Sequence, residues 1–378
     1  MLAELMRLKD GIAIAGSHGK TTTTSLLATV LREAELDPTV VIGGKLNALG
    51  TGAARGQGDL LLAEADESDG SFLHLSPIIA VVTNIDPEHL DHYGDLQGVK
   101  RAFTHFANRV PFYGLVVACI DSPNLQGILK DIHRRTLTYG LARQAHYRAD
   151  SVEVRGLTTH FRVHRGGELL GDFEVRMPGD HNVRNALATL AVADELGVSH
   201  GVVRDALAGF GGVQRRFTVL GEPDGVTVVD DYGHHPAEIE VTLEAAERAY
   251  PGRRIVVAFQ PHRYTRTRDL LDDFSLAFGR SDTLLITDVY AAGEQPIEGA
   301  DGAALVRGVQ EHGHGDVHHV PLLDDLPARL MEHLEPGDVV LTLGAGSITR
   351  VAPQLVKLLA ARRTRGTGGG QEEDAQEE

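Results

Sequence analysis

The sequence predicts an α/β fold: a parallel sheet with helices on its faces, followed by a second, smaller α/β domain. Three observations carry this. Short apolar runs alternate with helix-like stretches from Gly11 to Gly140, the rhythm of a parallel sheet. The first run, Gly11-Ile12-Ala13-Ile14-Ala15, enters the glycine turn Gly16-Ser17-His18-Gly19-Lys20-Thr21-Thr22, with a helical stretch directly behind it. After Gly209-Phe210-Gly211-Gly212 a second strand–helix alternation begins.

The first element is therefore a strand over 11–15 feeding a loop and a helix. That arrangement aims backbone N–H groups and the positive end of a helix dipole at one point, where a phosphate can sit. Lys20 adds a full charge and Thr21 a hydroxyl suited to Mg²⁺. In the usual G-x-x-x-x-G-K-[ST] loop the first glycine would fall at Ile14. Here it comes at Gly16, so the loop is shorter.

Further strands are expected at 39–43, 59–64, 78–83, 114–119 and 136–139. Carboxylates at the carboxyl ends of parallel strands face the crevice where ligands bind. In Ala63-Glu64-Ala65-Asp66-Glu67-Ser68-Asp69, Glu64 lies within the strand end, where an unpaired carboxylate is costly to bury, so it is the metal-ligand candidate. Asp66, Glu67 and Asp69 read equally well as a solvated acidic loop. His89, just past the 78–83 strand, stands between a structural histidine and a metal or substrate ligand. Cys119, the single cysteine, falls in an apolar strand and reads as buried rather than reactive.

From 146 to 176 the pattern changes to polar–apolar alternation around Arg165-Gly166-Gly167-Glu168, which predicts an antiparallel hairpin. Helices are expected over 182–196 and 200–208. At the first of them Asp180 reads as an N-cap, while Asn182 and Asn185 share a helix face where two amides suit a purine edge or ribose; on these residues alone capping is the simpler reading. In the second domain strands are expected near 226–230, 254–259, 283–288 and 338–343, with helices near 236–248, 303–312 and 347–360. Asp230-Asp231-Tyr232-Gly233-His234-His235-Pro236 and Gln260-Pro261-His262-Arg263-Tyr264-Thr265-Arg266-Thr267-Arg268 both follow strands. Arginines at 263, 266 and 268 in an acidic chain suggest an anionic ligand, since the guanidinium fork binds carboxylate or phosphate bidentately. The domains divide as 1–212 and 213–361, with 362–378, Gly-rich and then acidic, expected to be a disordered tail.

The formal charge of −17 argues against a nucleic-acid surface, which needs a basic face. It does not exclude a small phosphorylated ligand, because screening confines charge effects to roughly 8 Å. No apolar run suggests a membrane span and the N-terminus has no signal-peptide layout, so a cytoplasmic protein is expected.

Gly-Ser-His-Gly-Lys-Thr-Thr-Thr-Thr (16–24), Glu-Ala-Asp-Glu-Ser-Asp-Gly-Ser-Phe-Leu-His-Leu (64–75), Thr-Asn-Ile (83–85) with His89, His-Asn-Val-Arg-Asn-Ala (181–186), Asp-Asp-Tyr-Gly-His-His-Pro (230–236) and Phe-Gln-Pro-His-Arg-Tyr-Thr-Arg-Thr (259–267) follow one another in this order. In these motifs the chain resembles the Mur ligases. The resemblance implies a P-loop central ATPase domain followed by a Rossmann-like ligase domain. It implies that ATP phosphorylates the carboxylate of UDP-N-acetylmuramate and that the amine of L-alanine then attacks the acyl phosphate. Carried onto matching positions, Gly16, Ser17, His18, Gly19, Lys20, Thr21 and Thr22 would cradle ATP. Thr21 and Glu64 would hold a first Mg²⁺ and His89 a second. His181, Asn182 and Asn185 would line the adenine and ribose, and Asp231 would reach the nucleotide. Tyr232, His234, His262, Arg263 and Arg266 would bind the muramyl substrate, with Lys20, His89, His234 and Arg263 the catalytic groups. A monomer or homodimer is expected. The family carries a further N-terminal domain for the UDP moiety, whereas only Met1 to Asp10 precede the loop strand, so the UDP site is expected to be missing. Ser17 stands where the family usually has threonine. A murein-peptide recycling ligase and an ATP-binding chain inactive without a UDP-binding domain are the rival expectations.

Overall fold

The computed structural model describes residues 1–43 and 52–367, and the chain divides into two compact units between Gln214 and Arg215. The first unit contains β1 (Asp10–Ala15), β2 (Thr39–Val41), β3 (Ala53–Ala54), β4 (Leu60–Glu64), β5 (Ile79–Val82), β6 (Leu115–Cys119), β7 (Thr136–Gly140), β8 (Tyr147–Arg155), β9 (Thr158–Arg165) and β10 (Glu168–Val175). They form one sheet in the order β10-β9-β8-β7-β6-β5-β1-β4-β2-β3. The strands from β7 to β2 run parallel, and residues such as Ile12, Ile14, Leu62 and Val81 are fully buried because helices cover both faces.

The order of these strands places the site. From β1 the chain passes to β2 on one side, and from β5 it passes to β6 on the other, so the sheet reverses direction between them. Register keeps the strand ends level, with Ile14 opposite Glu64 and Ala15 opposite Val82. The loops after β1, β4 and β5 therefore open at one crevice.

The expected hairpin is a three-stranded antiparallel extension. Gly166 and Gly167 turn β9 into β10 at φ +56° and +92°, values a two-residue turn demands and side chains resist. The helix expected from 182 begins at Asp180, with Gly179 as its cap residue, so Asp180 is the first helical residue rather than the cap. Cys119 is buried in β6, and burial pushes its thiol up to about 11.

The second unit holds β11 (Thr218–Gly221), β12 (Thr227–Asp231), β13 (Ile255–Phe259), β14 (Thr283–Ile286), β15 (Val317–His319) and β16 (Val339–Leu343), ordered β11-β12-β16-β13-β14-β15. Only the edge strand β11 is antiparallel. Alternate residues feed two cores. Val229, Val257 and Leu341 meet the helices Pro236–Ala249 and Gly302–Glu311 on one face; Val228, Val256 and Val340 meet Leu326–His333 and Val351–Thr367 on the other. The last helix reaches Thr367, which corrects the tail expected from 362. Arg362 is held there by Asp224 and by the Leu334 carbonyl. The rest of the expected tail, 368–378, lies outside the described residues. Among the described residues no helix is long and apolar enough to cross a membrane.

Candidate active site

Gly16 leaves β1 at φ +135°, and a Cβ there would lie 2.0 Å from Thr83 Oγ1, so only glycine lets the loop pass the end of β5. Residues after β5 then pin the loop. The Ser17 and His18 N–H groups donate to the Asn84 carbonyl (3.2 Å) and side-chain oxygen (2.8 Å); Thr83 Oγ1 and Asn84 Nδ2 donate to the His18 carbonyl; Asp86 N–H donates to Ser17 Oγ (2.9 Å). His18 Nε2 lies 3.1 Å from Asp86 Oδ2. Gly19, at φ +82°, is the cap residue of helix Lys20–Glu33, so the first free N–H groups of that helix lie at the loop.

Lys20 donates to the Gly16 and Ser17 carbonyls and to both oxygens of Glu67 at 2.9 and 2.8 Å. Burial alone would lower the Lys20 ammonium, but the Glu67 carboxylate in contact raises it overall. Glu67, 2% exposed, is pushed up to about 7 because loss of solvent outweighs its attraction to Lys20. Thr21 Oγ1 donates to Glu64 Oε1 at 2.6 Å, and Gly43 N–H donates to the other Glu64 oxygen. His89 sits at φ +56°, with Nε2 3.9 Å from Glu67 and 4.0 Å from Glu88; one donor atom from each of the three lies within 4.8 Å of the others. Tyr93 donates to the Glu67 carbonyl, and burial pushes its own phenol up to about 12.

The structure thus brings Lys20, Thr21, Glu64 and His89 to the loop and adds Glu67, which sequence reasoning left undecided. The two amides lie behind the loop, Asn185 Oδ1 facing Gly19. Asn182 and Asn185 are buried; Asn182 donates to the Pro178 carbonyl (2.8 Å), Asn185 donates to Asn182 (3.3 Å) and accepts from Thr23 (3.0 Å). Asn185 ties helix Asp180–Glu195 to helix Lys20–Glu33, and Asn182 braces Asn185. His181, half-buried, lies beside them with Nε2 3.0 Å from Asn182 Nδ2.

In the second unit, Asp231 ends β12. Its carboxylate is buried and accepts the N–H groups of Phe217 (2.6 Å) and Gly233 (2.7 Å), which fixes the bend after β12. Burial pushes it up to about 6 against the pull of Arg216. Tyr232 carries the guanidinium groups of Arg215 and Arg216 at 4.9 and 5.1 Å from its ring centroid. Its edge meets His234 at 5.1 Å, His234 meets His262 at 5.9 Å, and His262 stacks on Tyr290 at 5.4 Å. Burial, then His234, Arg266 and Arg263, lower His262 to about 4, so it is neutral at pH 7. Arg266 Nη1 lies 3.3 Å from His262 Nδ1. Five of the expected substrate residues, Tyr232, His234, His262, Arg263 and Arg266, thus gather on the segments after β12 and β13 as a cationic, aromatic patch suited to an anion.

Comparison with known proteins agrees with both halves. Residues 14–193 match the profile of the Mur ligase middle domain, and 215–346 that of the Mur ligase glutamate ligase domain. The chain is 61% identical over 364 residues to the UDP-N-acetylmuramate–L-alanine ligase of Sorangium cellulosum, covering 96% of this chain and 78% of that protein. It is 60% identical over 359 residues to the enzyme of the same name from Myxococcus xanthus, covering 95% and 76%. A crystal structure of UDP-N-acetylmuramate–alanine ligase from Thermotoga maritima superposes with a TM-score of 0.80 at 28% identity, over 96% of this chain and 77% of that one.

Proposed function

The chain belongs to the Mur ligase family, and on that premise we propose that it joins L-alanine to the carboxylate of UDP-N-acetylmuramate in peptidoglycan precursor synthesis. ATP gives its γ-phosphoryl group to the carboxylate, the amine of L-alanine attacks the acyl carbon, and phosphate leaves as the amide forms. The observation that carries this reading is the likeness to ligases of that name, which extends over nearly the whole chain and so over both the loop and the cationic patch.

In this reading the loop N–H groups and Lys20 hold the β- and γ-phosphates. Lys20 has a partner to exchange: the polyphosphate takes the place that Glu67 occupies. The Thr21 hydroxyl and Glu64 carboxylate, 2.6 Å apart at the helix start, and the Glu67–Glu88–His89 donors form oxygen-rich sets that fit Mg²⁺. When bound, Mg²⁺ neutralises phosphate charge. Asn182 and Asn185 position the helix behind the loop, and His181 is left to meet the nucleoside. Arg263 and Arg266 bind the carboxylate and phosphate oxygens of the muramyl substrate, His234 and Arg263 oppose the oxyanion that develops at the acyl carbon, and neutral His262 packs on Tyr290 and accepts hydrogen bonds. The reaction is assigned to the cytoplasm.

The test is ADP formation with UDP-N-acetylmuramate plus L-alanine, against the same mixture with a murein tripeptide in place of the amino acid. Turnover that requires L-alanine supports the proposal; turnover with the tripeptide alone assigns a recycling ligase, and ATP binding without turnover in either assigns a binding protein. Lys20→Ala should then cost at least about 10²-fold in kcat with the fold retained by circular dichroism, because it removes charge stabilisation at the transferring group.

A further inference from the structure

The second unit carries a histidine-rich stretch that the ligase chemistry does not use. Residues 311–320 read Glu-His-Gly-His-Gly-Asp-Val-His-His-Val, four histidines in ten residues. Three side chains converge here: Asp316 immediately before β15, His318 within it, and His333 at the end of helix Leu326–His333. One donor atom from each lies within 4.8 Å of the other two, and all three side chains are partly open to solvent. His318 Nε2 lies 2.6 Å from Asp316 Oδ1, and the two imidazole centroids are 4.4 Å apart at 46°.

The surroundings hold these donors in place. The second oxygen of Asp316 accepts the Thr283 hydroxyl at 2.7 Å, which fixes the carboxylate plane from the start of β14. The His333 carbonyl accepts from Arg254, whose guanidinium also grips both oxygens of Asp338 at 3.0 and 2.7 Å. Thr283 opens β14, Arg254 precedes β13 and Asp316 precedes β15, so the cluster lies at the opposite end of the sheet from the cationic patch.

A His–Asp ion pair alone would account for His318 and Asp316 but not for the second imidazole, whose ring lies tilted against the first at 4.4 Å. Two imidazoles and one oriented carboxylate together are a mixed nitrogen and oxygen set, which suits zinc and neighbouring late divalent ions; Mg²⁺ prefers an all-oxygen octahedron. Tetrahedral bonds of about 2.1 Å need donors about 3.4 Å apart, within reach of small rotations of partly exposed side chains. The Thr283 hydroxyl that holds this carboxylate supplies the outer-shell support such sites rely on. We propose that Asp316, His318 and His333 bind a divalent transition ion, zinc by donor set, which clamps the short edge strand β15 to helix Leu326–His333.

The test uses the full chain, stripped of metal and titrated with ZnCl₂ under excess Mg²⁺ so that the oxygen-rich donors of the first unit are occupied. Bound zinc is counted by equilibrium dialysis, and hydrogen exchange of peptides from β15 and Leu326–His333 is followed in parallel. Wild type should bind one more equivalent than the His318→Ala, His333→Ala double variant, Thr283→Val should weaken that equivalent by about tenfold or more, and zinc should slow exchange in both peptides. Equal zinc content in wild type and double variant overturns the proposal. Should the double variant not fold, His333→Gln takes its place, and exchange in wild-type β15 that zinc leaves unchanged overturns the proposal equally.

Discussion

Replacing Glu67 by Gln tests whether burial or the Lys20 contact sets the charge of the loop carboxyl. Lys20 touches both oxygens, yet burial pushes the group from its ordinary 4.5 up to about 7. Folding therefore tightens proton binding. The stability this group contributes is complete below about pH 4.5 and is lost as pH rises through about 7. The span from 4.5 to about 7, at about 1.4 kcal/mol per pH unit, bounds the loss at about 3.5 kcal/mol. The Glu67→Gln side chain has no proton to exchange and also takes away the carboxylate that raises Lys20, so the pH dependence of the difference between wild type and variant belongs to the Glu67–Lys20 pair. The assay is urea unfolding from about pH 5 to about pH 8, with hydrogen exchange of peptides from β1 and Lys20–Glu33 reporting the first unit separately. The variant should gain on wild type by up to about 3 kcal/mol across that range. A difference that stays constant would mean that Lys20 keeps Glu67 ionised throughout, and the reasoning from burial would fail.

Gly16→Ala should cost about 3 kcal/mol and lower nucleotide affinity, since the new Cβ meets Thr83 Oγ1 at 2.0 Å on a backbone at φ +135°; an unchanged melting temperature would refute the close approach. Asp231→Asn keeps the volume but offers one acceptor oxygen where two N–H groups now donate, so a loss of about 2 kcal/mol is expected in urea unfolding. His262 should stay neutral down to about pH 4 by NMR; because its pKa is lowered, its contribution to stability is present above about pH 6.5 and is lost as pH falls toward 4. A midpoint near 6.5 would remove the cationic surroundings from which its neutrality is argued.

The central strands were readable because a sheet covered on both faces needs continuous apolar runs, and β1, β4, β5, β6, β13 and β16 are such runs. The edge strands β11 and β15 escaped notice: Thr-Val-Leu-Gly and Val-His-His carry too little apolar signal, and neighbours rather than composition make them strands. No helix was expected between β13 and β14, yet Tyr264–Asp269 and Leu271–Ala277 are helical. At the site, the loop was legible because its conformation is local, set by glycines within four residues of Lys20. Glu67 was not, because what distinguishes it from Asp66 and Asp69 is a contact 47 residues back along the chain.

Glu67 and Asp231 show why burial of an acidic residue past a strand end does not by itself mark a ligand site. Both are buried and both are pushed up by loss of solvent. Asp231 spends its oxygens on the N–H groups of Phe217 and Gly233, donors fixed in the backbone, so giving them up would break the bend that follows β12. Glu67 spends its oxygens on the end of a lysine side chain that an incoming phosphate can also engage, beside His89 and Glu88, which offer donors for a cation. A carboxylate whose partner is a side chain with other acceptors can change state when ligand arrives; one held by backbone donors keeps its partners unless the backbone moves. The exchangeability of the partner, rather than burial or the shift in pKa, is what distinguishes the surroundings of Glu67 from those of Asp231.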